Sequence, residues 1–280
     1  MLTAGRAFTK STSNAEPIPQ VATLSEMRSD GVVPRRGQMT MIAGIPGTGK
    51  SAFAMWWVAQ LGLSTLYFSA DMDSYTANSR LAAIHSGNTV KSVEQAMDTG
   101  MGMEYYADAL AESKFIFCFD SGPTLEDVGA ELNAHVEVFD EYPEVIVIDN
   151  VMNIQGSEDY QGQQHILSEL HSLARITRAW VVVLHHASEV NGKTPFDPPP
   201  RKEIKNKVTE HPELVLTVAA NPQTGEYKIA CVKNRSDKSD PGAQYPYTYR
   251  ADLARCSFNK YVPTPPEPEP GWSPAHWADD

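Results

Sequence analysis

The chain has 280 residues, 41% of them hydrophobic, enough to close one large core or two small ones. Its formal net charge of −12 excludes a surface coated all over by nucleic acid, although a local basic groove stays possible because only the face on the phosphates must be positive. No run reaches the ~20 apolar residues of a membrane span, the N-terminal stretch MLTAGRAFTKSTSNAEPIPQ lacks a signal-peptide core, and Cys118, Cys231 and Cys256 form no C-x-x-C pair. A cytoplasmic protein is expected, without zinc ribbon or disulfide framework, its thiols buried as small hydrophobes.

Residues 1–23 read as a flexible lead-in. A short helix over Leu24–Arg28 and the turn-rich stretch Gly31–Gly37 approach a first strand at Gln38–Ala43. There follows Gly44-Ile45-Pro46-Gly47-Thr48-Gly49-Lys50-Ser51, the G-x-x-x-x-G-K-[ST] pattern of a phosphate-binding P-loop in its strand-loop-helix setting. Glycines let successive backbone N–H groups converge on a triphosphate, and the next helix points its positive end at the same anion. Gly44, Pro46, Gly47, Thr48, Gly49, Lys50, Ser51 and Ala52 are the expected ATP contacts. Lys50 reaches the terminal phosphates, and Ser51 offers a hydroxyl to Mg²⁺.

The helix from Lys50 runs to about Leu61. A second strand, Ser64–Ser69, ends at Ala70-Asp71-Met72-Asp73, and a helix follows from Ser74 to about His85. Residues Asn88–Glu112 hold one or two short helices joined at Thr99-Gly100-Met101-Gly102. A third strand, Lys114–Phe119, leads to a helix over Thr124–Phe139 opened by Thr124, with Glu126 and Asp127 in its first turn. The fourth strand, Glu144–Asp149, is a continuous apolar run of the kind covered on both faces. A helix over Gln161–Arg178 and a fifth strand, Trp180–Leu184, lead into His185-His186. Strands without helices then follow at Leu214–Val218, Glu226–Val232, Tyr247–Tyr249 and Cys256–Tyr261, with turn chemistry at Asn221–Gly225 and Ser239–Gly242. This pattern predicts an α/β fold, a mostly parallel sheet covered by helices and extended by antiparallel strands. The expected sheet order is 3-2-4-5-1-6-7-8 in one domain over 24–262. Residues 263–280, Pro-rich and acidic, are expected to form a disordered tail.

Asp149, closing the fourth strand, stands where a Walker B acid holds Mg²⁺ directly or through water. Asp71, closing the second, is the candidate base that orients the attacking water, with Asp73 a competitor that also suits a helix cap. His186, ahead of His185, is the candidate polar contact to the γ-phosphate. Two basic stretches stand out: Arg201, Lys202, Lys205 and Lys207 in a Pro-flanked loop, and Lys233-Asn234-Arg235 at the tip of the late hairpin.

The succession PRRGQMTMIAGIPGTGKSAFA, YFSADMDS with Arg80 following, VIVIDNVMNI, VVVLHHASE and KIACVKNRSD resembles the ATPase domain of DnaB-type hexameric replicative helicases, within the RecA-like superfamily, over about Gly31–Tyr261. Ser69-Ala70-Asp71-Met72 matches that family's S-L-E-M with aspartate in place of glutamate. The double histidine looks more like the plasmid-type RepA helicases, where the DnaB pattern has Ser-Gln. The resemblance implies that Lys233 and Arg235, matching K-x-R, reach a neighbouring subunit's ATP site as trans-acting fingers. It also implies that the loop Asn191–Val208 lines a channel for single-stranded DNA. Only about thirty residues precede the core, so a bare motor domain is expected. The function expected is a DNA-dependent ATPase, a small helicase of replication acting as a homo-oligomeric ring or filament. Alternatives are a recombination ATPase, a P-loop kinase of small metabolites, and a nucleotide-gated binding protein that scarcely turns over. Trp272 and Trp277 make the tail a candidate docking peptide for other replication or recombination proteins.

Overall fold

A computed structural model of the chain describes residues 16–188 and 194–262. Most of the expected lead-in, part of the basic loop, and the acidic tail with Trp272 and Trp277 lie outside the described residues.

The described residues form one sheet of β1 (Met39–Gly44), β2 (Thr65–Ser69), β3 (Phe115–Cys118), β4 (Val145–Asp149), β5 (Trp180–His186), β6 (Leu214–Asn221), β7 (Glu226–Asn234), β8 (Tyr247–Asp252) and β9 (Ser257–Lys260). The order is β3-β2-β4-β5-β1-β6-β7-β8-β9, the expected order with β9 added at the edge. β1 to β6 run parallel, and β7, β8 and β9 each run antiparallel to the strand before. The antiparallel extension therefore begins one strand later than the helix-free pattern suggests. The helices are α1 (Ser25–Ser29), α2 (Lys50–Ala59), α3 (Ser74–Ser86), α4 (Val90–Thr99), α5 (Met103–Leu110), α6 (Leu125–Phe139) and α7 (Tyr160–Thr177).

Every residue of β1, β2 and β4 is buried, because each face of the sheet carries its own core. Met39, Met41, Ile146 and Ile148 pack towards α6 and α7 through Val128, Leu132, Ile166 and Leu170. Ile42, Tyr67, Val147 and Val182 pack on the other face with Phe53, Trp56 and Trp57 of α2 and Leu81 of α3. Phe53 meets Tyr227 of β7 at 5.4 Å and Phe258 of β9 at 5.3 Å between ring centroids, which fastens the antiparallel extension onto the P-loop helix.

Local chemistry sets the helix starts. Thr124 and Asp127 form a reciprocal capping box at α6, and Asp159 caps α7 by accepting from Gly162 N–H at 2.7 Å. Between α4 and α5, Gly100 and Gly102 take φ +71° and +79°, left-handed values that glycine adopts without strain.

Two expectations need correction. The lead-in does not extend to residue 23: Ile18 is 1% exposed, Ile18 N–H donates to the Pro34 carbonyl at 2.9 Å, and Val21 and Leu24 join the core. Isolated apolar residues between prolines carry no periodicity by which to find such packing. The strand expected to end at Val232 also runs on through Lys233 and Asn234, which lie at the end of β7 that leads towards β8, beyond the Ile229–Tyr247 pair and remote from the β6–β7 turn at Asn221–Gly225.

Candidate active site

Strand ends deliver the chemistry to one place. β2 and β4 are neighbours with Ser69 opposite Asp149, and β1 lies one strand further on, beyond β5. The loop leaving β1 turns through Gly47 and Gly49 at φ +80° and +74°. A Cβ at Gly47 would meet nothing within 4 Å, so this face is open to a ligand, whereas one at Gly44 would lie 2.8 Å from the Val218 carbonyl oxygen. Thr48 Oγ1 braces the loop by donating to the Ile45 carbonyl at 2.9 Å. Gly49 caps α2, so the N–H groups of Lys50, Ser51 and Ala52 stand at the positive end of a ten-residue helix. Lys50 Nζ donates to the Ile45 carbonyl at 3.0 Å. Burial lowers its pKa, opposed by Asp149 and Asp71.

Asp149 is 4% exposed. Burial pushes its carboxyl up, and hydrogen bonds from the Tyr67 hydroxyl, at 2.8 Å, and from Ser51 oppose that push. Tyr67 itself is driven well above its ordinary value by burial and by Asp149, so the phenol stays a donor. The Ser51 hydroxyl and Asp149 carboxylate form a pair of hard oxygens that fits Mg²⁺, which needs one or two protein oxygens and completes its octahedron with phosphate and water. The Asp149–Asn150 peptide is cis.

Asp71 follows β2, whose end is pinned to β4 by Ala70 N–H donating to the Asp149 carbonyl at 2.9 Å. Its Oδ2 accepts from Asn150 Nδ2 at 2.7 Å and its Oδ1 from Asn153 Nδ2 at 3.0 Å. Asp73 instead caps α3, accepting from Thr76 N–H at 2.8 Å. Of the two acids, only Asp71 joins Lys50, Ser51, Asp149 and His186 around a cavity of about 530 Å³. A larger cleft of about 710 Å³ beside α1 is lined by Glu26, Asp30, Asp237 and Asp240, an acidic wall unsuited to phosphate.

Both histidines lie inside β5, opposite Ala43 and Gly44. His185 is fully buried; burial pushes it down to about 4, leaving it neutral. Its Nδ1 donates to the His186 carbonyl at 2.8 Å and its Nε2 faces the Gln163 amide at 3.2 Å. His186 alone reaches the cavity, its pKa lowered by burial and then by Lys50 and Lys205. Its buried Nδ1 has no hydrogen-bond partner.

The basic loop does not form one patch. Ile204, buried between short 3₁₀ turns at Arg201–Glu203 and Lys205–Lys207, bridges Ala187, whose N–H donates to the Gly44 carbonyl at 3.0 Å. This strap brings Lys205 within electrostatic reach of Lys50, His185 and His186. Arg201 donates to Thr209 Oγ1 at 2.9 Å, Lys202 pairs with Glu203 at 3.8 Å, and Arg201, Lys202 and Lys207 line a separate cleft.

Lys233 Nζ donates to the carbonyls of Thr209, Glu210 and Pro212 at 2.6, 2.9 and 2.6 Å, which uses all three ammonium hydrogens. Burial and nearby Arg235 pull it down to about 8. Arg235 reaches the Glu210 carbonyl and lies 3.6 Å from Glu213, with its side chain 48% exposed. Asn234 opposes Leu214, which opposes Thr40 near the start of β1, so these cations stand at the end of the sheet away from their own P-loop.

Sequence reasoning missed Tyr67, Asn150 and Asn153 as site residues. Tyr67 sits in an apolar strand, and asparagine after a strand reads as turn chemistry; neither carries a spacing signal. Leu253 and Cys256 of the β8–β9 turn also line the cavity, which no local pattern foretells.

Residues 23–192 match the family described as AAA domain. The chain is 32% identical over 242 residues to the gene 65 protein of Mycobacterium phage L5, spanning 83% of this chain and 88% of that protein. It is 32% identical over 213 residues to the gene 65 protein of Mycobacterium phage D29, spanning 72% and 90%. Neither name carries an activity. Among solved structures it is similar to a DnaB-like replicative helicase, studied in its interactions with primase, with TM-score 0.75 and 12% identity over 92% of this chain and 68% of that one. A second solved ATPase domain gives TM-score 0.74 and 13% identity over 91% and 96%. At such identity the likeness is one of fold. The chain therefore belongs to the AAA domain family, with the RecA-like P-loop fold that the ATPase domains of DnaB-type helicases share.

Proposed function

We propose that the chain is an ATP hydrolase stimulated by single-stranded DNA, a small DnaB-like helicase motor that works as a homo-oligomeric ring. The observation that carries this reading is the convergence of Lys50, Ser51, Asp149 and Asp71 from separate strand ends on one cavity. The P-loop amides and Lys50 bind the phosphates; Ser51 and Asp149 hold Mg²⁺, which when bound screens the phosphate charge. Asp71 orients a water and accepts its proton, and His186 senses the terminal phosphate.

Arg235 stands too far along the sheet to serve its own P-loop, which supports a role for it in the site of a neighbouring subunit. Lys233 braces the segment before β6, on whose Glu210 carbonyl Arg235 also rests, and acts as a finger itself only on releasing three carbonyls. Arg235→Ala should lower hydrolysis by about 10³-fold or more while nucleotide affinity stays nearly intact. An equal loss of ATP binding would place Arg235 in its own site.

The deciding experiment is steady-state ATP hydrolysis with and without single-stranded DNA, with Lys50→Ala as blank. Stimulation that falls with salt is expected. A DNA-independent rate would remove the motor reading and leave a kinase or an assembly switch.

A further inference from the structure

We propose that Asn150 and Asn153 form an amide clamp that positions Asp71, so that the segment leaving β4 places both the metal-binding acid and the water-orienting acid. The inference rests on the reading of Asp71 given above.

The backbone around Asp71 is pinned on both sides. Ala70 N–H is held by the Asp149 carbonyl, Ser69 Oγ donates to the Met72 carbonyl at 3.0 Å, and Asp73 caps α3. What remains free is the pair of side-chain torsions of Asp71, a residue whose surface is exposed to the cavity. Each carboxylate oxygen accepts one amide hydrogen, Oδ2 from Asn150 and Oδ1 from Asn153, and two fixed points determine both torsions. Each oxygen keeps a further lone pair for a water.

The orientation of the Asn150 amide is settled by its other end. Asn150 Oδ1 accepts from Met152 N–H at 2.8 Å, so its nitrogen must face Asp71. Asn150 is 4% exposed and caps the 3₁₀ turn Val151–Asn153, which ends in the second amide. Asn153 N–H returns to the Asn150 carbonyl at 3.1 Å, so the two amides move as one unit with Asp149. Both donors are neutral. They orient the carboxylate without laying a full positive charge against the group that must take a proton, as an arginine or lysine would. The clamp also matches the short side chain: a glutamate would carry its carboxylate about 1.5 Å further, off both amides.

The test uses the full chain. Turnover, KM and the affinities for ADP and for ADP with aluminium fluoride would be measured for wild type, Asn153→Ala, Asp71→Ala and the double variant. Asn153→Ala is expected to lower kcat about ten- to hundredfold, the effect of misplacing a reacting group by ~1 Å, with KM and ADP affinity unchanged. In the Asp71→Ala background it should have no further effect. The preference for ADP–aluminium fluoride over ADP should fall with kcat. Asn150→Ser keeps a capping oxygen but not the amide, and should reproduce the Asn153→Ala result.

An equal effect in both Asp71 backgrounds, a parallel loss of ADP affinity, or an unchanged kcat would overturn the clamp. A wild-type rate no higher than that of Lys50→Ala would sink the hydrolase reading instead, and the aluminium fluoride ratio would then decide the clamp alone.

Discussion

Tyr67→Phe removes one oxygen atom from the wall behind the metal-binding acid. The ring stays packed, since its neighbours Phe115 and Phe117, at 6.3 and 5.5 Å between centroids, touch its carbon face. What is lost is the 2.8 Å hydrogen bond to Asp149. Tyr67 is fully buried and Asp149 nearly so, which keeps water from replacing the donor. A hydrogen bond to a charged group contributes about 1.5–3 kcal/mol, and a buried carboxylate left short of a donor loses that amount. Burial already pushes the Asp149 carboxyl up, and Tyr67 is the first of the groups that pull it back, so the variant pushes it further up. A proton then competes better with Mg²⁺ for the Asp149 carboxylate, and the competition weakens as pH rises. Urea titration should show a loss of about 1.5–3 kcal/mol in stability. Mg²⁺ titration of a fluorescent ATP analogue should show a requirement raised about tenfold or more, at 1.4 kcal/mol per tenfold, with the difference from wild type shrinking as pH rises. An unchanged urea midpoint together with an unchanged Mg²⁺ requirement would refute the role assigned to this hydrogen bond.

His185 sets an acid limit on stability. Burial holds it down to about 4, against an ordinary 6.5, so between these values the unfolded chain takes up a proton that the folded chain refuses. Stability therefore falls as pH drops through that window, by about 2 kcal/mol at pH ~5. His185→Gln should lose about that much less than wild type between pH ~7.5 and ~5 in urea titrations, and equal losses would refute the assignment. The basic loop divides by direction. Lys202→Ala and Lys207→Ala should each reduce the salt slope of single-stranded DNA binding by about 0.7. Lys205→Ala should leave the slope without nucleotide unchanged and weaken ATP more than ADP. A reduced slope for Lys205→Ala would return it to the DNA surface.

The parts legible in the chain were those whose physics is local. The P-loop announces itself because a phosphate cradle needs glycines, a lysine and a hydroxyl at set distances along one turn. The strand over Val145–Asp149 reads as doubly covered because both of its faces are apolar, and Thr124 marks a helix start because its hydroxyl serves an N–H three residues on. The sheet order, too, follows the alternation of strands and helices together with the family resemblance.

What local pattern leaves open is which side chains meet. Along the chain Asp71 is favoured over Asp73 without excluding it; folding separates them, because one oxygen set faces amides across the β2–β4 pair and the other turns back on its own helix. Lys205 and Lys202 belong to one basic run, yet the Ile204–Ala187 bridge turns Lys205 towards the phosphate site. Lys233 and Arg235 share a motif, and only folding shows three carbonyls closing on the lysine while the arginine stays half exposed. Composition and spacing thus determined the class of chemistry and the loop that performs it. The tertiary structure decided which carboxylate, cation and histidine belong to the site, because those identities depend on contacts between separate elements, from Lys233 with Thr209, 24 positions apart, to Tyr67 with Asp149, 82 apart, which no periodicity encodes.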